Sequence, residues 1–212
     1  MKQKLGILIS LEGGEGGGKT TQAVMLKEKL EKSDREVVSV REPGGTVISE
    51  QIREVVLSSK NEGITDTTEV LLFQAARAQI YREVVIPALN AGKVVIMDRT
   101  RDSSVVYQGM VRGFGRELIE KLNNISTKKI IPQLTLLLDV SVKTGLSRRI
   151  DSGKMDRLDM EAGDFHQKVR DAYLTLAREN TDKRWKVIDA EQDVANVAKQ
   201  IWQEVSAKID KK

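Results

Sequence analysis

Gly13-Gly14-Glu15-Gly16-Gly17-Gly18-Lys19-Thr20 sets a lysine and a hydroxyl directly behind a run of glycines, in the G-x-x-x-x-G-K-[ST] spacing. Glycine admits backbone conformations that turn successive N–H groups inward around a phosphate. Lys19 adds a mobile cation, Thr20 a hard oxygen for a divalent metal, and a helix starting near Lys19 adds its positive end. Such a set, continued by Thr21, binds a nucleoside triphosphate. A carboxylate, Asp98, closes the apolar run Val94-Val95-Ile96-Met97. There it either holds magnesium through water or caps the turn that follows. Arg99 comes next, then Arg101-Asp102-Ser103-Ser104-Val105-Val106-Tyr107-Gln108-Gly109, a cluster of hydroxyls, amide and phenol. Arg41-Glu42-Pro43-Gly44-Gly45-Thr46 ends another apolar run in the same way.

The missing residue types bound the chemistry further. With no cysteine and a single histidine, His166, the chain excludes disulfides, thiolate catalysis, cysteine-ligated metals and a histidine-rich zinc site. His166 falls one residue past Phe165, off the apolar stripe of its helix, and is expected to face solvent. Reactions must therefore run on Lys, Arg, Asp, Glu, hydroxyls and backbone amides. A guanine-reading N-K-x-D string is absent: Thr127-Lys128-Lys129-Ile130 and Thr181-Asp182-Lys183-Arg184 both lack the needed Asp. A multidomain motor would need more than these 212 residues. The small size, the arginine-rich stretch and the motifs favour a small-molecule kinase.

The elements that must hold these groups follow from the hydrophobic pattern. At 40% hydrophobic and 31% charged residues the chain can build a core. Its 35 basic and 31 acidic residues leave a net charge of +4, which suits an anionic small molecule as well as nucleic acid. Short apolar runs alternate with amphipathic stretches, the pattern of a parallel sheet flanked by helices. Strands are expected at Leu5–Leu11, Glu36–Val40, Val94–Met97, Leu134–Asp139 and Trp185–Ile188, all covered on both faces. Phe165, Val169, Ala172 and Leu176 share one helical face, as do Val194, Val197, Ala198, Ile201 and Val205. A longer helical pattern starts near Thr68, is kinked or split at Pro87 and ends at Gly92. Residues 1–212 read as one domain, and the polar, arginine-rich stretch near 147–159 reads as a mobile lid within it. Met1-Lys2-Gln3-Lys4 and the apolar run behind it are too short for a signal peptide or membrane span, so a soluble, cytoplasmic protein is expected.

Gly13–Thr21, Arg41–Thr46, Leu71-Leu72-Phe73-Gln74-Ala75-Ala76-Arg77-Ala78-Gln79, Asp98–Gly109 and Asp156-Arg157-Leu158-Asp159 resemble bacterial thymidylate kinases in order and spacing. The resemblance runs over about residues 5–205 and implies a P-loop nucleoside monophosphate kinase fold with a five-stranded parallel sheet and a short lid. It also implies transfer of the γ-phosphoryl group of ATP to dTMP with Mg2+, in a homodimer with neither a nucleic-acid nor a membrane partner. Thr100 and Ile80 depart from the family, which often has an aromatic or His at the first position and His at the second.

What the resemblance implies for individual residues goes beyond their spacing. Alone, Phe73 would be core and Arg77 a solvated charge; as family members they are a ring stacked on thymine and a donor to a base carbonyl. Ser104 and Gln108 correspond to the hydrogen-bonding pair at the base, and Tyr107 to the ring against C2′ of the sugar. Arg53 and Arg99 correspond to clamps on the monophosphate, Pro43 and Ser103 to further lining of the dTMP site, and Glu15 to the acid near the 3′-hydroxyl. Thr20 and Asp98 are the expected magnesium holders, while Glu12 is expected to be structural. With no arginine inside the glycine loop, the chain resembles the family type that carries the arginine meeting the transferring phosphoryl group in the lid, which makes Arg148, Arg149 and Arg157 the candidates, with Arg157 in the best-matching string. Two other readings stay open: a nucleoside monophosphate kinase for a different base, and a nucleotide-dependent binding module.

Overall fold

Five apolar runs form five strands, β1 (Ile7–Glu12), β2 (Val37–Arg41), β3 (Val94–Asp98), β4 (Leu134–Asp139) and β5 (Trp185–Asp189), in a computed structural model that describes residues 5–151, 153, 155–179 and 181–209. All pair in parallel, in the order β2-β3-β1-β4-β5. The register sets Leu11 beside Asp98 and Arg41 beside the same Asp98, so the carboxyl ends of β1, β2 and β3 finish level. In an open parallel sheet that edge is where ligands bind. Only β1, β3 and β4 are covered on both faces; the outer strands β2 and β5 are partly exposed, because each has a neighbour on one side alone.

The helices are α1 (Lys19–Glu31), α2 (Val47–Leu57), α3 (Asp66–Ile80), α4 (Ile86–Asn90), α5 (Arg101–Ser104), α6 (Arg116–Ser126), α7 (Val142–Asp151), α8 (Gly163–Arg178) and α9 (Val194–Ile209). One face of the sheet buries Ile9, Leu11, Ile96 and Leu136 against Ala23, Leu26 and Leu30 of α1 and Val197, Ile201 and Val205 of α9. The other face packs Leu8, Val95 and Met97 on Ile80, Tyr81, Val85 and Leu89. Beside it, Leu137 packs with Val106, Ile119, Val169 and Tyr173.

The pattern expected from Thr68 to Gly92 begins at Asp66 and continues through Pro87 to Asn90 without a break. Tyr81–Val85 joins α3 to α4 in the wider π register, with the Ile86 N–H bonded to the Tyr81 carbonyl five residues back. Proline has no N–H and its ring collides with the carbonyl four residues before it, so loosening the turn ahead of Pro87 removes the collision without ending the helix. A second π segment, Val105–Val111, continues α5.

The described residues of the arginine-rich stretch contact α2; Ser152 and Lys154 lie outside the described residues. The Arg157 N–H donates to the Leu57 carbonyl at 3.1 Å, and Leu158 is buried with Val56 and Leu57 of α2. On the loop side, α7 lies directly against the glycine loop. A Cβ on Gly145 would sit 2.3 Å from the Glu15 carbonyl oxygen, and one on Gly16, where φ is +66°, would sit 1.9 Å from the Gly145 carbonyl oxygen. Both obstacles are backbone and cannot rotate away. Gly145→Ala should therefore destabilise the fold by about 1–3 kcal/mol and weaken nucleotide binding, as read by urea unfolding and nucleotide titration.

Candidate active site

The loop after β1 delivers its glycines to the sheet edge, and α1 begins at Lys19 behind Gly18, which caps it with φ +81°. Lys19 is buried, and its Nζ donates to the Gly14 carbonyl at 2.6 Å and to that of Gly13 at 3.2 Å. Burial and the Arg99 charge lower its pKa to about 8 against the pull of Glu15, Asp98 and Glu12. The Thr20 hydroxyl donates to Asp98 Oδ2 at 2.5 Å. Two hard oxygens thus meet at the end of β3, a donor set suited to a magnesium ion that keeps most of its ligands as water and phosphate. Among the described residues no group of three or more His, Cys, Asp or Glu gathers into a larger metal site.

Arg99 lies at the centre. Its φ of +67° turns the chain sharply after β3 and sends the guanidinium to Glu15 Oε1 at 2.7 Å and the Tyr173 hydroxyl at 3.2 Å, 5.2 Å from the Tyr107 ring. Tyr107 also donates to Glu15 Oε1, at 2.9 Å. Burial alone would raise the Glu15 pKa, but the Arg99 and Lys19 cations outweigh it and bring the carboxyl down to about 2.

A continuous cleft of ≈ 980 Å³ runs from the glycine loop to the base of α3. Every expected site residue lines it except Gly13, Gly14 and Arg157. Phe73 forms part of one wall, and Pro43, joined to Glu42 by a cis peptide, accepts Arg53 Nη1 on its carbonyl at 2.8 Å. Arg77 differs from expectation. Its guanidinium donates to Glu42 (2.7 Å), the Ser104 hydroxyl (2.9 Å), Asn123 Oδ1 (2.9 Å) and the Thr100 carbonyl (3.1 Å). Nη2 also lies 2.7 Å from Glu42. It is neither a surface charge nor an outward donor but the frame of the wall, and it occupies the hydroxyl oxygen of Ser104. Gln108 donates Nε2 to Glu69 Oε1 at 2.8 Å. Ser103 hydrogen-bonds Glu12 at 2.6 Å and the Tyr173 hydroxyl at 2.7 Å, so it braces the wall.

The three lid arginines separate. Arg149, held by Asp159 at 2.8 Å and Asp156 at 3.3 Å, lines the cleft and is one of the cations acting on Glu15. Arg148 also lines it and donates to the Ala190 carbonyl at 2.9 Å. Arg157 turns the other way, to Glu69 at 2.5 Å and the Val56 carbonyl at 3.1 Å. Arg157, which its string favours at the transferring group, is thus held at Glu69 beside Leu158, which docks on α2.

His166 is buried, not solvent-facing. It stands edge-on to Phe165 and lines a small cavity behind Gly14 and Glu15. The buried face of α8 holds Val169, Ala172 and Leu176 of the expected stripe and is wide enough to take in His166 and Tyr173 as well. Glu12 fits its expected structural part. Fully buried, it accepts from the Thr100 N–H, the Ser103 hydroxyl and Tyr173. Thr100, one of the two family departures, is itself buried and hydrogen-bonds the Tyr81 hydroxyl at 2.8 Å.

Burial, with Asp102 adding to it, pushes Glu12 up to about 7. An unfolded glutamate titrates near 4.3, so between about 4.3 and 7 the folded chain holds a proton that the unfolded chain has lost. Stability contributed by this group therefore falls as pH rises through that window. Glu12→Gln removes the titration, and its stability relative to the parent should rise from pH 4.5 to 7.5 in denaturant titrations.

Sequence reasoning missed Glu69, Asn123 and the turn of Ala190–Val194 that lines the far end of the cleft. That turn carries no motif; its place after the carboxyl end of β5 was the available signal.

The fold and the loop define a P-loop nucleotide phosphotransferase of the nucleoside monophosphate kinase type. A family model described as thymidylate kinase matches residues 11–201. The chain belongs to the thymidylate kinase family. It is 45% identical over 196 residues to a thymidylate kinase of Citrifermentans bemidjiense, covering 90% of this chain and 87% of that one. A thymidylate kinase of Latilactobacillus sakei is 45% identical over 205 residues, 95% of each chain. The crystal structure of thymidylate kinase from Ehrlichia chaffeensis superposes with a TM-score of 0.77 at 29% identity, over 94% of this chain and 98% of that one.

Proposed function

We propose that this protein transfers the γ-phosphoryl group of ATP to dTMP, giving dTDP and ADP. The observation that carries the reading is the single cleft: the glycine loop with Lys19 opens into the pocket of Phe73, Tyr107 and Gln108, with Arg99 and Arg149 between them. Family membership supports the same assignment. The ATP phosphates lie in the loop, and the adenine end reaches toward Arg148 and the Ala190–Val194 turn. The dTMP phosphate meets Arg53 and Arg99, and its thymine stacks on Phe73. With a second pKa near 6, that phosphate is a dianionic nucleophile at neutral pH, and no general base is required. Catalysis is then positioning and charge neutralisation, with Arg149 facing the charge that develops on the transferring group. Thr20 and Asp98 would hold Mg2+, which would neutralise charge on the triphosphate.

Exposed Val47, Ile48 and Val55 on α2, Leu71 on α3, and Leu118 and Ile125 on α6 leave apolar surface on adjoining helices, which supports a homodimer through this layer. Among the described residues no helix is long and apolar enough to cross a membrane. A cysteine-free enzyme that consumes ATP fits the cytoplasm.

Coupled ADP release over dTMP, dUMP, dCMP, UMP and GMP, with a blank lacking acceptor, tests the assignment. The Gln108 amide should accept the N3–H of thymine or uracil, and Tyr107 should crowd a 2′-hydroxyl, so dTMP and dUMP should outrank dCMP and UMP. Phosphorylation of dCMP, UMP or GMP as efficient as that of dTMP would refute thymidylate as the substrate, and ADP release independent of acceptor would refute the kinase.

A further inference from the structure

Glu69 has no part in the roles above, yet it is 1% exposed and joins two halves of the site. It stands one helical turn before Phe73 and two before Arg77, on the same face of α3. Its Oε1 accepts Gln108 Nε2 at 2.8 Å. Its Oε2 accepts Arg157 Nη2 at 2.5 Å and Arg112 Nη2 at 3.4 Å. A carboxylate between two guanidinium groups offers only acceptors, so the amide of Gln108 must turn its NH2 inward to meet it. The carbonyl Oε1 of Gln108 is left for the cleft, where it takes no hydrogen bond from any described residue.

The orientation of that amide decides which base fits. An outward carbonyl accepts the N3–H of thymine and repels the lone pair on N3 of cytosine; the opposite flip reverses the preference. Arg77, with its guanidinium already committed to Glu42, Ser104, Asn123 and Thr100, leaves Gln108 as the reader at this point of the wall. The second oxygen of the same carboxylate fastens Arg157, whose N–H and Nε also grip the Leu57 and Val56 carbonyls of α2. We propose that Glu69 is a positioning residue that fixes the outward carbonyl of Gln108 for a pyrimidine bearing an N3–H and, through Arg157, ties the seating of residues 155–159 to the same carboxylate. This inference rests on the thymine-accepting reading above.

Glu69→Gln keeps the shape but can offer an amide to Gln108 and carries no charge for Arg157. Calorimetric Kd values for dTMP and dCMP, with KM for each substrate, should show the preference for dTMP over dCMP falling at least tenfold. The loss should lie in the Kd and KM of dTMP while KM for ATP stays within threefold. Arg157→Ala should speed amide hydrogen exchange in residues 155–159 yet keep the base preference within threefold, since Gln108 retains its bond to Glu69. In the parent, dTMP should slow that exchange more than dCMP does, a measurement that needs no variant. A folded Glu69→Gln protein whose preference stays within threefold of the parent overturns the inference, as does equal protection of 155–159 by both monophosphates. A parent that itself accepts dCMP as well as dTMP overturns the thymidylate assignment, and this inference with it; the former results leave that assignment standing.

Discussion

Lys19→Ala should lower kcat for dTMP-dependent ADP formation about a hundredfold or more, the scale seen when one preorganised donor to a developing oxyanion is removed. The side chain is buried, and its Nζ closes on the Gly13 and Gly14 carbonyls, so in the free protein it braces the loop. With nucleotide bound, the same ammonium is the one flexible cation the loop possesses. Both duties vanish with the amine, yet Lys19 packs at the rim of the sheet and not in its apolar core, so the far-ultraviolet dichroism should be kept. Near-parental ADP formation at saturating ATP would show that the loop is not the phosphate site.

Arg149→Ala should cost about a thousandfold in kcat with a modest change in dTMP affinity, because such an arginine meets charge present only during transfer. Arg149→Lys should restore a part, since an ammonium cannot reproduce the planar fork. The structure makes this a comparison: Arg149 lines the cleft beside Glu15, whereas Arg157 is committed to Glu69. Arg157→Ala should therefore reduce kcat at least tenfold less than Arg149→Ala does. Single-turnover measurements on both variants decide the order, and an Arg149→Ala rate within threefold of the parent, under about 1 kcal/mol of barrier, would exclude Arg149.

The strands and the glycine loop could be read from the chain because both are local patterns: Val94–Asp98 is an uninterrupted apolar run with an acid at its end, and the loop is eight consecutive residues. The cleft walls were legible as residue types but not as partnerships. Arg77 looks alike in sequence whether it reaches outward to a base or inward to Glu42, a residue 35 positions away. The string around Arg157 likewise marks the residue but not its direction, which depends on the packing of Leu158 on α2. Glu69 and Asn123 stayed hidden because a lone acid or amide on a helix has no signature until its partners arrive. His166 carries no apolar side chain to mark it as part of the stripe, yet the buried face of α8 extends far enough around the helix to include it beside Val169, Ala172 and Tyr173.

The π segment Val105–Val111 amounts to a helix carrying more chain per turn than an α-helix of the same rise. Each residue in it advances through a smaller angle than the about 100° of an α-helix, so neighbours splay apart less. Tyr107 and Gln108 are consecutive, yet one reaches Glu15 and the other Glu69 along the same cleft. In evolutionary terms the segment behaves like an inserted residue retained for its geometry. Point changes there can be absorbed one side chain at a time, whereas deleting a single residue would restore the tighter pitch and swing the phenol and the amide out of their shared wall together.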